Sequence, residues 1–304
     1  MKRKIALTFI LMVSLFLVFG AEECERKKTT APGYYKCTGS KAIEAKFAPD
    51  APVSSEIDTY LPGEDIDVMV ELTNKLQQDI PAGKVKLRLI GDAAIPAFFV
   101  GAKQATNPEL SGVDPATCDS YPKEISLGPI KYVGEITTKI SKEIKGEYCY
   151  EIPINVKANI YYTDKATEIG ENLPTGSNPA SSVQVVDLEQ GVVKVENGVG
   201  KLNFKITIKN VGTGRLVKSL GDCFKYEKRP KEELKVEVKG AFPVSCENNG
   251  EITLSREDKS RTISCRITEI DPSILGPDPS ELTITLKNFA YEDKIEPVKI
   301  WLEP

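Results

Sequence analysis

The sequence predicts an all-β protein made of two tandem β-sandwich domains behind an N-terminal hydrophobic segment. Three observations lead to this prediction. Apolar and polar residues alternate with period two from about residue 41 onward, a set of short segments occurs twice, and seven cysteines follow an apolar leader. In residues 65–72, for example, Ile66, Val68, Val70 and Leu72 alternate with polar or flexible residues, which is typical of a strand with one buried face.

Chain length and turn residues favour two sandwiches. Similar alternating segments occur at 85–89, 152–160, 202–208, 236–238, 263–267, 282–286 and 298–302. Turn-forming residues separate them, and the chain contains 22 Gly and 20 Pro. Short strands at this spacing are typical of immunoglobulin-like sandwiches. A chain of 304 residues is longer than one hydrophobic core usually serves, so we expect two domains.

An internal repeat supports duplication. The clearest matches are CDSYPKEISL (118–127) with CENNGEITL (246–254), and VKANIYYTDK (156–165) with LKNFAYEDK (286–294). Upstream, VMVELTNK (68–75) and FKITIKNV (204–211) are each a strand running into an Asn-containing turn, followed by VKLRLIGDA (85–93) and LKVEVKGAF (234–242). We therefore expect a first immunoglobulin-like domain at 41–186 and a second at 187–304.

The N-terminus has the order of a secretory signal. Basic residues at 2–4 precede an apolar run from Ile5 to Phe19, which ends at Gly20 and Ala21. We interpret residues 1–21 as a signal peptide or, as the alternative, a membrane anchor that attaches the protein through residues 5–21. Residues 22–40 are charged and lack periodicity, so we expect a tether. The protein is then secreted or on the cell surface.

The cysteines are expected to form structural disulfides, since an exported chain folds in an oxidising compartment. The repeat suggests two equivalent bridges, Cys118 with Cys149 and Cys246 with Cys265. For the other three, Cys24 with Cys37 would leave Cys223 unpaired, whereas Cys37 with Cys223 would join the two domains. The sequence leaves both alternatives open.

One stretch resembles a known module. Residues 201–216, KLNFKITIKNVGTGRL, are similar to the strand and turn of the CARDB module, a cell-adhesion-related domain of bacterial and archaeal surface proteins. In that family an alternating strand enters an N-x-G type turn between two strands of an immunoglobulin-like sandwich. The first copy departs from this pattern, with TNKLQQDIPAG at 73–83. The resemblance implies an extracellular binding or spacer role and carries over no catalytic residue.

Composition argues against several classes of function. The chain has no histidine, so a Ser/His/Asp or Cys/His catalytic arrangement cannot form within it. The net charge is −4 with scattered lysines, which disfavours a nucleic-acid partner. We expect no catalytic residue, no cofactor and no metal site. The calcium candidates, Glu64, Asp65 and Asp67 or Glu292 and Asp293, lack the dense acidic spacing of a calcium loop. A hydrolase that uses paired carboxylates is the remaining enzymatic alternative.

The leading hypothesis is therefore an exported, non-catalytic protein that acts as a spacer or a partner-binding array at the envelope. Candidate interface residues are Trp301, which should point away from the face buried by its strand, and the amphipathic pair Tyr161 and Tyr162. The partner would be a protein or another envelope component. The alternative is self-assembly into a filament or surface layer. In this case the alternating segment that contains Ile43, Ala45 and Phe47 would pair with a strand edge of another chain.

Overall fold

The computed structural model describes residues 34–225, 231–255 and 257–304. The expected leader at 1–21, Cys24 and the tether up to residue 33 therefore lie outside the described residues. Within the described part, no helix is long and apolar enough to cross a membrane. Residues 34–304 form one compact unit.

The described chain is all-β, as predicted. Its strands are β1 (Ile43–Phe47), β2 (Asp65–Ile66), β3 (Met69–Asn74), β4 (Val85–Ile90), β5 (Phe99–Gly101), β6 (Gln104–Thr106), β7 (Lys123–Ser126), β8 (Ile130–Tyr132), β9 (Ile140–Tyr150), β10 (Ile154–Tyr161), β11 (Val183–Gln190), β12 (Lys194–Glu196), β13 (Val199–Asn210), β14 (Arg215–Val217), β15 (Glu233–Lys239), β16 (Val244–Cys246), β17 (Glu251–Thr253), β18 (Ser260–Ile270), β19 (Pro279–Lys287) and β20 (Ala290–Leu302). Short 3-10 turns occur at Gly91–Ala94, Ala166–Glu168, Glu247–Gly250 and Pro272–Ile274.

The strands form two groups of antiparallel sheets, which we call the first and second lobes. The first lobe contains the sheets β1-β3-β7, β14-β20-β9-β4-β6 and β2-β8-β5. The second lobe contains β11-β13-β18-β16, with β12 beside β13, and β10-β19-β15-β17. Each lobe is thus sandwich-like.

Period-two alternation explains why these segments become strands with one buried face. In β13, Leu202, Phe204, Ile206 and Ile208 are buried, while Lys201, Asn203, Lys205 and Lys209 are exposed. The buried faces of the two large sheets meet within each lobe. In the first lobe the Tyr148 hydroxyl, on β9, donates to the carbonyl oxygen of Ile43, on β1, at 3.2 Å.

The two lobes have the same strand plan. In chain order, the first lobe uses β1, β3, β4, β6, β7 and β9, and the second uses β11, β13, β15, β17, β18 and β19 in equivalent positions. The matched segments at 68–75 and 204–211 fall on β3 and β13, and those at 85–93 and 234–242 begin on β4 and β15. The structure thus places these two pairs of matched segments in equivalent positions.

Each lobe is completed by a strand that directly follows a strand of the other lobe in the sequence. After β9, residues 151–153 lead straight into β10, which pairs with β19 of the second lobe. After β19, residues 288–289 lead into β20, which returns to pair with β9. Tyr150 lies opposite Tyr291, and Ile154 lies opposite Leu286, so one antiparallel ribbon runs through both lobes.

This exchange departs from the expected domains at 41–186 and 187–304. The first lobe takes β14 and β20 from beyond residue 186, and the second takes β10 from before it. The physical reason is that a repeat identifies equivalent segments, but either copy of a repeated strand can fill the same ladder position. A boundary at one residue therefore does not divide the sheets.

Candidate functional site at the junction of the lobes

The connection between β13 and β15 crosses from the second lobe to the first. Its strand β14 pairs with β20, with Arg215 opposite Glu292 and Val217 opposite Ala290. We call the region formed by residues 210–225, β20 up to residue 293, and the facing residues of β4 and β9 the junction. Through the segment that crosses from β13, it links the lobes in addition to the exchanged ribbon, on which β14 pairs.

The junction begins with a tight turn at the end of β13. The side-chain oxygen of Asn210 accepts the Gly212 N–H at 3.1 Å, and its amide nitrogen donates to the Gly214 carbonyl at 3.0 Å. The Tyr291 hydroxyl accepts the Gly214 N–H at 2.8 Å and donates to the Asn210 oxygen at 3.3 Å. A Cβ at Gly212 would collide with the Tyr291 hydroxyl, and one at Gly214 with the Glu292 carbonyl. The turn therefore requires glycine at both positions.

A largely buried ion pair follows the turn. Arg215 donates from Nε and Nη2 to one oxygen of Glu292, at 3.1 and 2.9 Å. The second oxygen of Glu292 accepts the backbone N–H of Phe224 at 2.7 Å. Only 9% of the Glu292 side chain is exposed. Both of its oxygens have hydrogen-bond partners in residues 215–224, which we call the crossing segment.

A second ion pair lies beside it on the same outer face of the sheet. Arg88, on β4, pairs with Glu147, on β9. The Arg88 guanidinium also lies 4.6 Å from the centre of the Phe224 ring. Each of these carboxylates is held by an arginine, and both also line the cleft that opens beside the junction.

A disulfide completes the junction. Cys149, at the end of β9, is joined to Cys223 with an S–S distance of 2.04 Å. Around it lies a small apolar cluster that contains Val217, Leu220 and Phe224. The Leu220 N–H donates to the Glu151 carboxylate at 2.8 Å. The crossing segment is therefore fixed covalently, by hydrogen bonds and by apolar packing.

Three buried tyrosines pack behind the junction. The rings of Tyr148 and Tyr150 have centroids 6.3 Å apart, and those of Tyr150 and Tyr291 have centroids 5.6 Å apart. Burial, together with the nearby Asp293 carboxylate, raises the pKa of all three phenols, and that of Tyr291 reaches about 12. These hydroxyls stay protonated and can donate hydrogen bonds across the physiological pH range.

A cleft of about 860 Å³ opens beside the junction at the edges of β1 and β20. It is lined by acidic and basic side chains, among them Lys41, Arg215, Glu232, Lys259 and Asp293. Burial raises the pKa of Glu232. A hydrogen bond from Asn210 and the charge of Lys259 offset part of this increase. This mixed lining differs from the mainly apolar lining of most small-molecule pockets.

The disulfide pairing differs in part from the expected one. Cys246 is joined to Cys265, as expected, because the two residues lie directly opposite each other on β16 and β18. Cys118 is joined to Cys37 and not to Cys149, so both alternatives for Cys37, a bridge to Cys24 or to Cys223, are wrong, and Cys223 pairs with Cys149. The expected pairing relied on matching 118–127 with 246–254, but the strands in these segments, β7 and β17, occupy different places: β7 lies beside β3, whereas β17 lies beside β15.

The remaining site candidates are not brought together. Tyr161 and Tyr162 are 7% and 3% exposed, so the structure places them in the interior and not on an open surface. Trp301 is partly exposed, with the amines of Lys139 and Lys299 each 5.6 Å from its ring centre, while Ile300 and Leu302 are buried. Trp301 thus faces away from the core, as the alternation predicts.

The calcium candidates have other partners. Glu64 accepts the Leu61 N–H at 2.8 Å, and Asp65 lies 3.3 Å from the Lys131 amine. Arg215 holds Glu292, and the Thr213 hydroxyl donates to Asp293 at 3.1 Å. Among the described residues, no group of three or more His, Cys, Asp or Glu side chains could hold a metal ion.

Sequence reasoning missed the junction. Charged residues such as Arg88, between Leu87 and Leu89, have the alternation of a solvated strand face, and Glu292 lies in a charged run with Asp293 and Lys294. The one available signal was the glycine turn at 210–214, because two closely spaced glycines indicate close backbone packing. No family model matches this chain, and a search of the curated proteins finds no match.

Proposed function

We propose that this protein is an exported, non-catalytic spacer that holds two immunoglobulin-like sandwiches in a fixed arrangement at the cell envelope and presents them to a protein or other envelope partner. The observation that carries the proposal is the exchange of β10 and β20. Each lobe is completed by a strand that is covalently continuous with the other lobe.

The junction adds to this rigidity. Bending between the lobes would distort the two-stranded ribbon. It would also pull on the segment that crosses from β13, whose end on the first lobe is fixed by the β14-β20 pairing, the Cys149–Cys223 bridge and the Arg215–Glu292 pair. A single linker between tandem domains would resist none of these distortions. Rigid connection suits a spacer, because a partner site on one lobe then keeps a constant distance from the point of attachment.

Location outside the cytoplasm is supported by the disulfides. Three bridges are typical of proteins that fold in an oxidising compartment. The signal-like order of residues 1–21 and the resemblance of residues 201–216 to the CARDB module favour the same location. Residues 34–40 of the expected tether are held against the sandwiches, Tyr34 by a hydrogen bond to Asn159 and Cys37 by its bridge to Cys118. Under this proposal, only the part of the tether that precedes Tyr34 joins the sandwiches to a membrane segment or to the cleavage site.

Small-angle X-ray scattering of the chain from residue 22 onward tests the rigid arrangement. We expect a single conformation whose scattering matches the structure and does not change with salt concentration. The variant Cys149→Ala/Cys223→Ala, combined with Arg215→Ala, should broaden the distribution of distances between the lobes. A broad distribution in the unmodified protein would refute the spacer proposal. Protease accessibility on intact expressing cells, compared with lysed cells, tests the location.

Self-assembly is the second candidate, because β1 is the end strand of its sheet in the described structure. Ile43 is buried, and Ala45 and Phe47 pack against the core, so an added strand would pair through the backbone of β1. Sedimentation velocity over a range of concentrations distinguishes the two candidates. Assembly that is lost in Ala45→Pro but kept in Lys46→Ala would favour edge pairing, whereas a monomer at all concentrations would exclude it.

A further inference from the structure

We propose that Lys259 and Asn210 become joined by an intramolecular isopeptide bond between Lys259 Nζ and Asn210 Cγ, with Glu232 transferring the protons. The product is a covalent cross-link between β13 and the segment that leads into β18. The reaction is autocatalytic and needs no other enzyme.

Backbone pairing places the two residues opposite each other. The Asn210 N–H donates to the Lys259 carbonyl at 2.9 Å, which continues the register in which Lys209 lies opposite Ser260. Lys259 immediately precedes β18, so the contacts of its amine, and not strand geometry, show that its side chain lies beside Asn210. Lys259 has a left-handed backbone conformation, with a φ of 54°, which is uncommon for a non-glycine residue.

The side chains converge on one point. Lys259 Nζ lies 3.5 Å from the Gly214 carbonyl oxygen, and Asn210 Nδ2 lies 3.0 Å from the same oxygen. Asn210 Nδ2 also lies 3.5 Å from a carboxylate oxygen of Glu232. The amine, the amide and the carboxyl group are therefore neighbours, and Asn210 is only 3% exposed.

The Asn210 carbonyl is prepared for attack by a nucleophile. Its oxygen accepts hydrogen bonds from the Tyr291 hydroxyl at 3.3 Å and from the Gly212 N–H at 3.1 Å. Two such donors polarise the carbonyl and stabilise the negative charge that develops on the oxygen when an amine adds to the carbon. The raised pKa of Tyr291 keeps its hydroxyl protonated for this role.

The reaction balances without another reagent. Transfer of one proton from the Lys259 ammonium to the Glu232 carboxylate gives a neutral amine and a protonated carboxyl group, and the raised pKa of Glu232 favours this transfer. The Nζ lone pair attacks Cγ and forms the N–C bond. Glu232 gives its proton to Nδ2 and takes one from Nζ, the Cγ–Nδ2 bond breaks, and ammonia leaves. The cleft lined by Glu232, Lys259 and Gly214 gives the ammonia a path to solvent.

The first lobe contains an internal control. Asn74 occupies the equivalent place at the end of β3, but its amide nitrogen donates to the carbonyl oxygens of Gln78 and Leu110, at 2.8 and 3.4 Å. In the described structure both amides therefore donate to the carbonyl four residues later, but the second partner of Asn74 is a carbonyl oxygen, whereas that of Asn210 is the Glu232 carboxylate. We expect the cross-link at Asn210 and not at Asn74.

Mass spectrometry of the reduced full-length protein tests the proposal. We expect an intact mass lower than the sequence mass by one molecule of ammonia, after any leader removal is accounted for. Trypsin should release a branched peptide in which residues 210–215 are joined to residues 257–261, because an acylated Lys259 is not cleaved. Recovery of the two linear peptides in full, with cleavage after Lys259, would overturn the proposal whatever the variants do.

Two variants assign the roles. Lys259→Arg keeps the positive charge but cannot form the bond, so the branched peptide should disappear and the full mass should return. Glu232→Gln should form the bond about 100-fold more slowly or worse, as expected for loss of a general acid–base. Asn74→Ala is the matched control and should leave the branched peptide unchanged. A branched peptide formed at the normal rate in Glu232→Gln would remove Glu232 from the mechanism.

Discussion

Asn74 and Asn210 close the same turn in the two halves of the chain. Each side-chain oxygen accepts the backbone N–H two residues later, from Leu76 at 2.9 Å and from Gly212 at 3.1 Å. Each amide nitrogen donates to the carbonyl four residues later, at 2.8 and 3.0 Å. Asn74 lies opposite Ile43, and Asn210 lies opposite Val183, so the first two large strands of both lobes meet in the same register. This relationship supports duplication more strongly than any matched sequence segment.

The glycine turn should be intolerant of even a methyl group. Gly212→Ala places a Cβ against the Tyr291 hydroxyl, so we expect a loss of about 1–3 kcal/mol in the free energy of unfolding, measured in urea. Gly276→Ala is the control, because nothing lies within 4 Å of the added Cβ, and it should change stability by less than about 0.5 kcal/mol. Equal effects of the two substitutions would contradict the close packing at the turn.

The Arg215–Glu292 pair should matter more than an exposed pair. Arg215→Ala leaves the Glu292 carboxylate, 9% exposed, without its guanidinium, and we expect a loss of about 2–4 kcal/mol in unfolding free energy. Lys201→Ala breaks the exposed pair with Glu196, whose side chain is 59% exposed, and should cost less than about 1 kcal/mol. The double variant Arg215→Ala/Glu292→Gln should recover part of the loss. No recovery would show that Arg215 acts mainly by packing.

The disulfides should differ in their contribution to stability. Cys149 and Cys223 are 74 residues apart in sequence, and Cys246 and Cys265 are 19 apart. Because a longer loop loses more entropy when closed, replacing the first pair with alanines should cost roughly 4 kcal/mol and the second roughly 3 kcal/mol. Urea unfolding of the two double-alanine variants measures the difference. A larger loss for the 246–265 pair would show that loop entropy is not the main contribution.

Alkaline pH should destabilise the junction. The pKa of Tyr291 rises from 10.0 in its ordinary state to about 12 in the fold, and those of Tyr148 and Tyr150 also rise. Between these values the unfolded chain releases protons that the folded chain retains. The stabilisation is therefore complete below pH 10 and is lost as the pH rises through about 12. Urea midpoints measured across this range should fall steadily.

Tyrosine variants test the origin of that pH dependence. Tyr291→Phe should weaken the fall in the urea midpoint above pH 10, although its overall stability is lower because the hydrogen bonds to Gly214 and Asn210 are lost. Tyr121→Phe is the control, since this side chain is 85% exposed and its removal should leave the fall unchanged. An unchanged fall in Tyr291→Phe would assign the effect to other groups.

Much of the fold followed from local pattern. The strands β3, β4, β13 and β15 lie where alternating segments predicted them, because a strand with one buried face must alternate. The outward position of Trp301 and the Cys246–Cys265 bridge were also predicted correctly. The candidate site was predicted much less well. Its arginines and glutamates have the pattern of exposed charged residues, and only contact with the crossing segment distinguishes them.

The sequence by itself determined an all-β chain and the approximate strands, because period-two alternation and turn residues act over a few neighbouring positions. Only the tertiary structure decided that β10 and β20 exchange lobes, that Cys118 pairs with Cys37 and Cys149 with Cys223, and that Arg215 meets Glu292. The reason is that strands with the same alternation can fill equivalent ladder positions in the two lobes. Local preference cannot choose between them, and the choice is made by the long-range contacts of the assembled junction.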